Sequence, residues 1–212
     1  MTDFKKFGKF IRKCDILTIS MLAGACLTLL TASFSAFAQS CEALQGEVLR
    51  LHILPNSNSA DDQQLKYELR DFILSDAKTY FADVSTLEEA VQSAQYYLSS
   101  IEENAKAFIA EKGYDYDVIV SIETMFFTTR VYENLTMPAG DYTALRIKIG
   151  EGEGQNWWCV AFPPLCLPAV TQKSGEPYFS PETSKVIEAD GKRAEVKFKL
   201  YEWLKQKRSN SS

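Results

Sequence analysis

A basic N-terminus followed by a long uncharged run is the feature that most constrains this chain. Five cations lie within residues 5–13, and the 23 residues from Ile16 to Ala38 carry no charge. Cations stay in the cytoplasm while an apolar run enters the bilayer, so the pattern predicts export. The run is also long enough to span a bilayer as a helix, for which about 20 residues suffice. Residues 1–38 are therefore predicted to be a signal peptide or an uncleaved membrane anchor.

The end of the run favours cleavage over retention. Small residues at Ala36 and Ala38 suit a signal peptidase, which would cut before Gln39. The run is also diluted by several serines and threonines, which weakens it as a permanent anchor. Cys26 follows Leu22-Ala23-Gly24-Ala25, a poor lipobox with Ala where Leu is expected, so lipidation is not expected.

The charge of the exported part excludes several function classes. Without the five cations and two anions of residues 1–38, the formal net charge of −5 becomes −8. An acidic domain lacks the clustered cations that bind nucleic acid, so we expect no nucleic-acid partner. Anionic lipid also repels such a domain, so membrane contact is expected only through the N-terminal segment. His52 is the only histidine, which excludes multi-histidine metal sites. We predict no metal and no cofactor.

The exported part is predicted to fold as one α+β domain over residues 48–205, after a short linker at 39–47 and before a disordered tail at 206–212. Apolar residues alternate from Val48 to Leu54, with Arg50 and His52 on the opposite face, which predicts a strand.

Two amphipathic helices are predicted next. The first is capped by Ser59, with Asp62, Lys66 and Arg70 on its solvent-exposed face. The second opens at the capping pattern Ser85-Thr86-Leu87-Glu88 and stops at Gly113. Further strands follow, including a last one over Val196 to Leu200. The order predicts a mostly antiparallel sheet with two helices packed on it, preceded by the N-terminal export helix.

Two cysteines bracket a short apolar stretch near the end of the strand-rich region. In an exported protein, the spacing of Cys159 and Cys166 predicts a disulfide, although two reduced, buried cysteines fit the same sequence. A catalytic pair of Cys159 with His52 as base is a further possibility, and it requires the two side chains to meet. No recognised cysteine-protease motif surrounds Cys159.

The pair Trp157-Trp158 lies beside the first of these cysteines. Adjacent tryptophans in a strand would point one into the core and one to the other sheet face, whereas in an exposed loop they would form a binding hot spot. Both alternatives remain open from the sequence.

Two blocks of residues resemble a known family. The first is Leu49-Arg50-Leu51-His52-Ile53-Leu54-Pro55-Asn56-Ser57-Asn58-Ser59, followed by Asp62-Gln63 and by Lys66 to Asp71. The second runs from Leu135 to Cys166 and includes Ile149-Gly150-Glu151-Gly152 and Asn156-Trp157-Trp158-Cys159. Together they resemble the stage II sporulation protein R family over essentially the whole exported domain.

The resemblance implies a non-enzymatic signal of endospore formation. Such a protein is exported from the forespore to the intermembrane space of the septum, secreted or anchored by residues 16–38. Its implied partner is a membrane-embedded aspartic protease of the mother cell, which then processes a pro-sigma factor. On these motifs we expect a partner-binding surface formed by His52, Asn56, Ser57, Arg70, Asp71, Arg146, Asn156, Trp157 and Trp158. The alternatives are an exported cell-wall hydrolase with Cys159 as nucleophile, and a septal scaffold anchored by residues 16–38.

Overall fold

The computed structural model of the protein describes residues 2–132, 135–163, 179–187 and 192–209. Within these residues the helices are α1 (Thr2–Gln45), α2 (Ala60–Tyr80), α3 (Leu87–Tyr96), α4 (Leu98–Glu111), α5 (Pro181–Ile187) and α6 (Lys192–Ser209). The strands are β1 (Leu49–Leu54), β2 (Val118–Phe127), β3 (Arg130–Tyr132), β4 (Leu135–Met137), β5 (Gly140–Ile149) and β6 (Trp157–Phe162). The chain divides into two units, Met1–Ser40 and Cys41–Ser212.

The first unit, Met1–Ser40, consists of most of α1. Over Ile16–Gln45 this helix is long and apolar enough to cross a membrane, the one such helix among the residues that the structure describes. The hydroxyls of Ser20, Thr28 and Thr31 donate to helix carbonyls three or four residues earlier. Because these groups are already hydrogen-bonded, they cost less in lipid than their polarity suggests. The helix fits a signal or an anchor segment.

The second unit is built on a four-stranded mixed sheet in the order β2-β5-β1-β6. The central strand β1 pairs parallel with β5 and antiparallel with β6, while β2 pairs antiparallel with β5. A separate hairpin is formed by β3 and β4. The α+β prediction is confirmed, with antiparallel pairing predominant.

Helices α2, α3 and α4 cover one side of this sheet, called here the helix-facing side. Its core consists of alternate strand residues, such as Leu51, Ile147 and Val118, packed against the apolar faces of the helices. Alternation along β1 puts Arg50 and His52 on the opposite side. That opposite side is covered in part by Leu44, Met137 and Ile187, and all six residues of β1 are buried.

Local sequence signals account for where the helices begin and end. The hydroxyl of Ser59 caps α2, and Thr86 with Glu89 forms a capping box at α3. The sequence predicts a second helix that runs without a break to Gly113, but in the structure it is divided at Tyr97 into α3 and α4. After α4 the chain turns at Gly113, whose φ of 87° is the left-handed conformation that glycine adopts at helix ends.

The prediction of a last strand over Val196–Leu200 is wrong, because these residues lie in α6. Five alternating residues fit either structure, and no glycine or proline interrupts residues 192–209. The same helix includes residues 206–209 of the predicted tail, and residues 210–212 lie outside the described residues. Residues 39–45 of the predicted linker continue α1.

Candidate partner-binding face

Two loops at one end of the sheet are held together by hydrogen bonds. They are the β1–α2 loop (residues 55–59) and the β5–β6 loop (residues 150–156). The backbone N–H of Glu153 donates to the carbonyl oxygen of Asn56 at 3.2 Å, and the N–H of Glu151 donates to Asn56 Oδ1 at 3.1 Å. Asn56 therefore serves as a bridge between the loops.

Glycines allow the two loops to approach this closely. A Cβ atom on Gly154 would overlap the carbonyl oxygen of Ser57, and one on Gly150 would overlap the side chain of Asn56. Gly150 also has a φ of 53°, which strains other residues. The glycines of the β5–β6 loop thus let it pack directly against the β1–α2 loop.

Asp62 and Lys66 of α2 are buried beneath these loops, 3% and 1% exposed. The prediction that both lie on the solvent-exposed face of the helix is therefore wrong. Asp62 accepts hydrogen bonds from Ser57 Oγ at 2.5 Å and Asn56 Nδ2 at 3.0 Å. Burial raises the pKa of Asp62, but these hydrogen bonds lower it more, and the net pKa lies below its ordinary value. Lys66 Nζ donates to the carbonyl oxygen of Gln155 at 2.9 Å. Both charges are tolerated because they are bonded to the loops.

On the helix-facing side, α2 presents a cation and an aromatic ring to Trp157. The Arg70 guanidinium lies 4.7 Å from the Trp157 ring centroid, and the Tyr67 ring meets Trp157 edge-on at 5.4 Å. Arg70 also bonds its neighbour Asp71 at 2.6 Å. Trp157 Nε1 is buried and has no hydrogen-bond partner among the described residues. These contacts form one half-exposed cluster, here the Trp157 cluster.

On the opposite side, four residues from four strands share one line across the sheet. The pairing register places Ser121 beside Arg146, Arg146 beside His52, and His52 beside Trp158. The imidazole of His52 stacks on the Trp158 ring, with centroids 4.0 Å apart and planes at 10°. We call these residues the cross-sheet row.

The cross-sheet row carries an ion pair at its more exposed end. Arg146 Nη1 lies 3.2 Å from a carboxylate oxygen of Glu123, and Ser121 Oγ donates to the same carboxylate at 2.7 Å. The hydrogen bond from Ser121, together with Arg146, holds the pKa of Glu123 below its ordinary value despite some desolvation. The carboxylate and guanidinium are both about one-third exposed, so both remain available for contact from solvent.

His52 lies between this ion pair and Trp158, and it is only 2% exposed. Neither ring nitrogen has a hydrogen-bond partner among the described residues. Burial, reinforced by the nearby Arg146 charge and opposed by Glu123, lowers the pKa of His52 to about 4. At neutral pH the imidazole is therefore uncharged, with one donor and one acceptor.

Arg50 is fully buried next to His52 along β1. Its Nε donates to the carbonyl oxygen of Cys159 at 2.9 Å, and its guanidinium lies 4.4 Å from the Phe127 ring centroid and 5.0 Å from that of Tyr142. The cation is stabilised by aromatic faces and a backbone carbonyl. This side of the sheet thus combines charge with aromatic rings.

Comparison with known proteins gives the family. The sequence profile described as stage II sporulation protein R matches residues 45–172. The chain is also 35% identical over 179 residues to "Stage II sporulation protein R" of Bacillus subtilis (strain 168), covering 74% of this chain and 80% of the relative. This chain belongs to the stage II sporulation protein R family. No solved structure matches it.

The stage II sporulation protein R profile covers all six strands and both bonded loops. It begins at residue 45, after the apolar run, and ends at residue 172, before α5 and α6. The two blocks that resemble the family are therefore joined in space: β1 pairs with β6, and Asn56 binds the glycine-rich loop. The residues that the family profile matches therefore include the whole sheet and the two bonded loops at its end.

The structure divides the predicted partner-binding residues of this family member into three groups. His52, Arg146 and Trp158 meet in the cross-sheet row, whereas Arg70, Asp71 and Trp157 lie in the Trp157 cluster on the other side of the sheet. The third group belongs to the bonded loops: Asn56 and Ser57 bind Asp62, and Asn156 is half-buried before β6. The two tryptophans lie on opposite sides of one strand.

Sequence reasoning missed Ser121 of the cross-sheet row and Glu123, which pairs with Arg146 of that row. Val118 and Val120 pack on the helix-facing side, so alternation alone places Ser121 and Glu123 opposite. Their polarity on a strand face was the available signal. It became informative only with the register that sets Ser121 beside Arg146.

The cysteines do not form the catalytic pair considered from the sequence. Cys159 belongs to the helix-facing core, while His52 stacks on the opposite side, so the two side chains point away from each other. Cys159 is disulfide-bonded. Cys166 lies outside the described residues, and its pairing stays a prediction. Cys41 is free and buried, and burial raises its pKa to about 12.

Proposed function

We propose that this protein is an exported signal of endospore formation that activates a membrane-embedded aspartic protease of the mother cell. The activated protease would then remove the pro-sequence of a sigma factor. Membership of the stage II sporulation protein R family supports the sporulation role. The apolar part of α1 supports export, with residues 16–38 acting as signal or anchor and the forespore as the source.

The cross-sheet row is the observation that carries the partner-binding part of this proposal. Arg146 and Glu123 offer partly exposed charges of both signs, and Trp158 offers a half-exposed ring. His52 lies buried against Trp158, with no hydrogen-bond partner for its ring nitrogens among the described residues. Because His52 itself is buried, a partner meets the partly exposed groups that surround it. A partner that pairs with Arg146 or Glu123 and packs on the Trp158 ring would use the charged and aromatic groups that this side of the sheet presents to solvent. We therefore place the protease-binding surface here.

A protein ligand activates an enzyme by binding its active state better than its inactive state. The contact needs only differential affinity, and the signal itself performs no chemistry. The disulfide at Cys159 agrees with this view, since it leaves no thiolate there for a hydrolase.

The test is sigma-factor processing in growing, non-sporulating cells that express the matching protease and pro-sigma substrate. We expect processing only when this protein is also exported. Arg146→Glu should reduce processing at least about tenfold, the loss expected when a charged contact at an interface is reversed. Lys106→Gln, which alters an exposed ion pair on α4, is the matched control and should process normally.

A double variant separates recognition from folding. Arg146→Glu with Glu123→Arg restores an ion pair within the sheet but exchanges the charges that a partner meets. Continued loss of processing in the folded double variant is expected. Recovery to the normal level would show that the pair matters only for the fold, and no processing by the unmodified protein would overturn the function itself.

A second comparison decides between the two sides of the sheet. Arg70→Gln alters the Trp157 cluster and leaves the cross-sheet row intact. We expect it to retain processing. If Arg70→Gln abolishes processing while Arg146→Glu does not, the binding surface lies on the helix-facing side.

A further inference from the structure

Helix α6 carries apolar residues on two different faces. Phe198 and Tyr201 are buried, 4% and 3% exposed, and hold the helix to the domain. Val196, Leu200, Trp203 and Leu204 are 65%, 45%, 56% and 42% exposed. Their spacing of four, three and one residues puts them on one stripe of the helix, here the outer stripe. Half of the exposed large apolar residues described beyond residue 30 lie on this stripe.

The charge of α6 is opposite to that of the domain it belongs to. The helix contains seven lysines and arginines against two glutamates, whereas the chain after residue 38 is net −8. Lys199, Lys207 and Arg208 are exposed alongside the outer stripe, and Lys207 Nζ lies 5.3 Å from the Trp203 ring centroid. Because Phe198 and Tyr201 occupy a second apolar face, α6 as a whole is not a simple amphipathic helix. Its exposed surface nevertheless combines an apolar stripe that contains a tryptophan with cations beside it, the combination that anionic membrane surfaces attract.

The buried face of α6 is attached to the residues that follow the apolar run. Gln45 Nε2 donates to the Tyr201 hydroxyl at 3.2 Å, and Lys205 Nζ pairs with Glu42 at 3.0 Å. Glu42 is four residues after Ala38 in the chain, a distance of at most about 14 Å even when extended. A bilayer that holds the apolar run therefore lies within reach of α6.

We propose that α6 is an interfacial helix whose outer stripe rests on an anionic lipid surface. The apolar stripe enters the headgroup region while the flanking cations bind lipid phosphates. Membrane contact would then extend beyond the N-terminal segment, despite the acidic charge of the domain as a whole. The inference is independent of the protease contact, which we place on the sheet.

The experiment uses the full chain in vesicles of phosphatidylcholine, with or without about one-third phosphatidylglycerol. A brominated phosphatidylcholine quenches tryptophan that reaches the acyl boundary. The chain has three tryptophans, so the Trp203 contribution is the difference between the unmodified chain and Trp203→Phe. We expect strong quenching of Trp203 in anionic vesicles and little in neutral vesicles.

Charge-matched variants test the role of the cations. Lys199→Gln with Lys207→Gln should lower the ratio of docked to undocked helix at least about tenfold, because each cation near an anionic surface strengthens binding severalfold. Lys106→Gln with Lys112→Gln removes one lysine from α4 and one from its C-cap, and should leave quenching unchanged.

Three outcomes would overturn the proposal. Absence of Trp203 quenching in both vesicle types would show that the outer stripe does not meet lipid. Equal quenching in both would exclude recognition of anionic headgroups. Protection of Trp203 only after the protease, or a second copy at high density, is added would make the stripe a protein-binding surface instead.

Discussion

The two sides of the sheet are built from the same strands but by different physical means. On the helix-facing side, Leu51 and Ile147 are fully buried in an apolar core under α2, α3 and α4. On the opposite side, the neighbouring positions His52 and Arg146 form a line of polar and aromatic groups. Alternation along each strand permits this separation, since adjacent residues meet different surroundings.

The difference indicates which side of the sheet stabilises the fold, and it underlies our proposal that the other side binds the partner. Apolar burial contributes roughly 25 cal/mol per Å² and needs no partner. A buried imidazole that has no hydrogen-bond partner among the described residues opposes folding instead of supporting it. We therefore expect substitutions on the helix-facing side to act on stability, and substitutions at the exposed end of the cross-sheet row to act on signalling.

The largest expected effect is loss of stability in Leu51→Ala. The side chain is fully buried at the centre of the sheet, so its truncation removes transfer free energy and leaves a cavity. We expect the free energy of unfolding to fall by about 3 kcal/mol or more, measured by urea denaturation. A loss below about 1 kcal/mol would contradict the picture of a tightly packed helix-facing side.

A smaller loss of stability is expected when the pH is lowered. It depends on His52 and therefore reports on the side of the sheet opposite the helices. The folded pKa of His52 is about 4 and its ordinary value is 6.5, so below pH 6.5 the unfolded chain binds a proton that the folded chain does not. Stability should therefore fall as pH drops below 6.5, by about 2 kcal/mol at pH 5, and the loss should end near the folded pKa.

The measurement is the free energy of unfolding at pH 5 and pH 6.5 for the protein and for His52→Gln. Since His52 is the only histidine, the variant should lose this part of the pH dependence. An identical pH dependence in both proteins would show that His52 does not change its proton affinity on folding.

The smallest effect on stability is expected from Arg146→Gln. Its ion pair with Glu123 is partly exposed, and such pairs contribute about 0–1 kcal/mol. Thermal unfolding should shift little, while processing of the sigma factor should fall. A large stability loss with normal processing would reverse the assignment of the two sides.

Much of the local structure could be predicted from particular residues. The uncharged run gives α1, alternation around His52 gives β1, and Ser59 caps α2 as expected. The residues of the cross-sheet row could not be assembled in this way, since they come from strands up to about a hundred residues apart in the chain. Only the pairing register brings them together.

The two wrong predictions, the exposure of Asp62 and Lys66 and the last strand, have the same cause. Asp62 and Lys66 look like solvent-facing helix residues until the loops that bind them are placed above α2. Residues 196–200 alternate as a strand would. In the structure, however, Phe198 and Tyr201 are three residues apart and both buried, as residues on one face of a helix are. In both cases a contact distant in sequence outweighed a short local pattern.

The sequence alone predicted an apolar signal or anchor segment at the N-terminus, an α+β domain and the resemblance to its family, because charge, periodicity and motif are properties of neighbouring residues. Tertiary structure decided which of these residues meet. It separated Trp157 from Trp158 and joined the two family blocks through Asn56. It also left one face of α6 uncovered. Strand register and helix packing are set by the free energy of the whole domain, so they cannot be predicted from a short segment of the sequence.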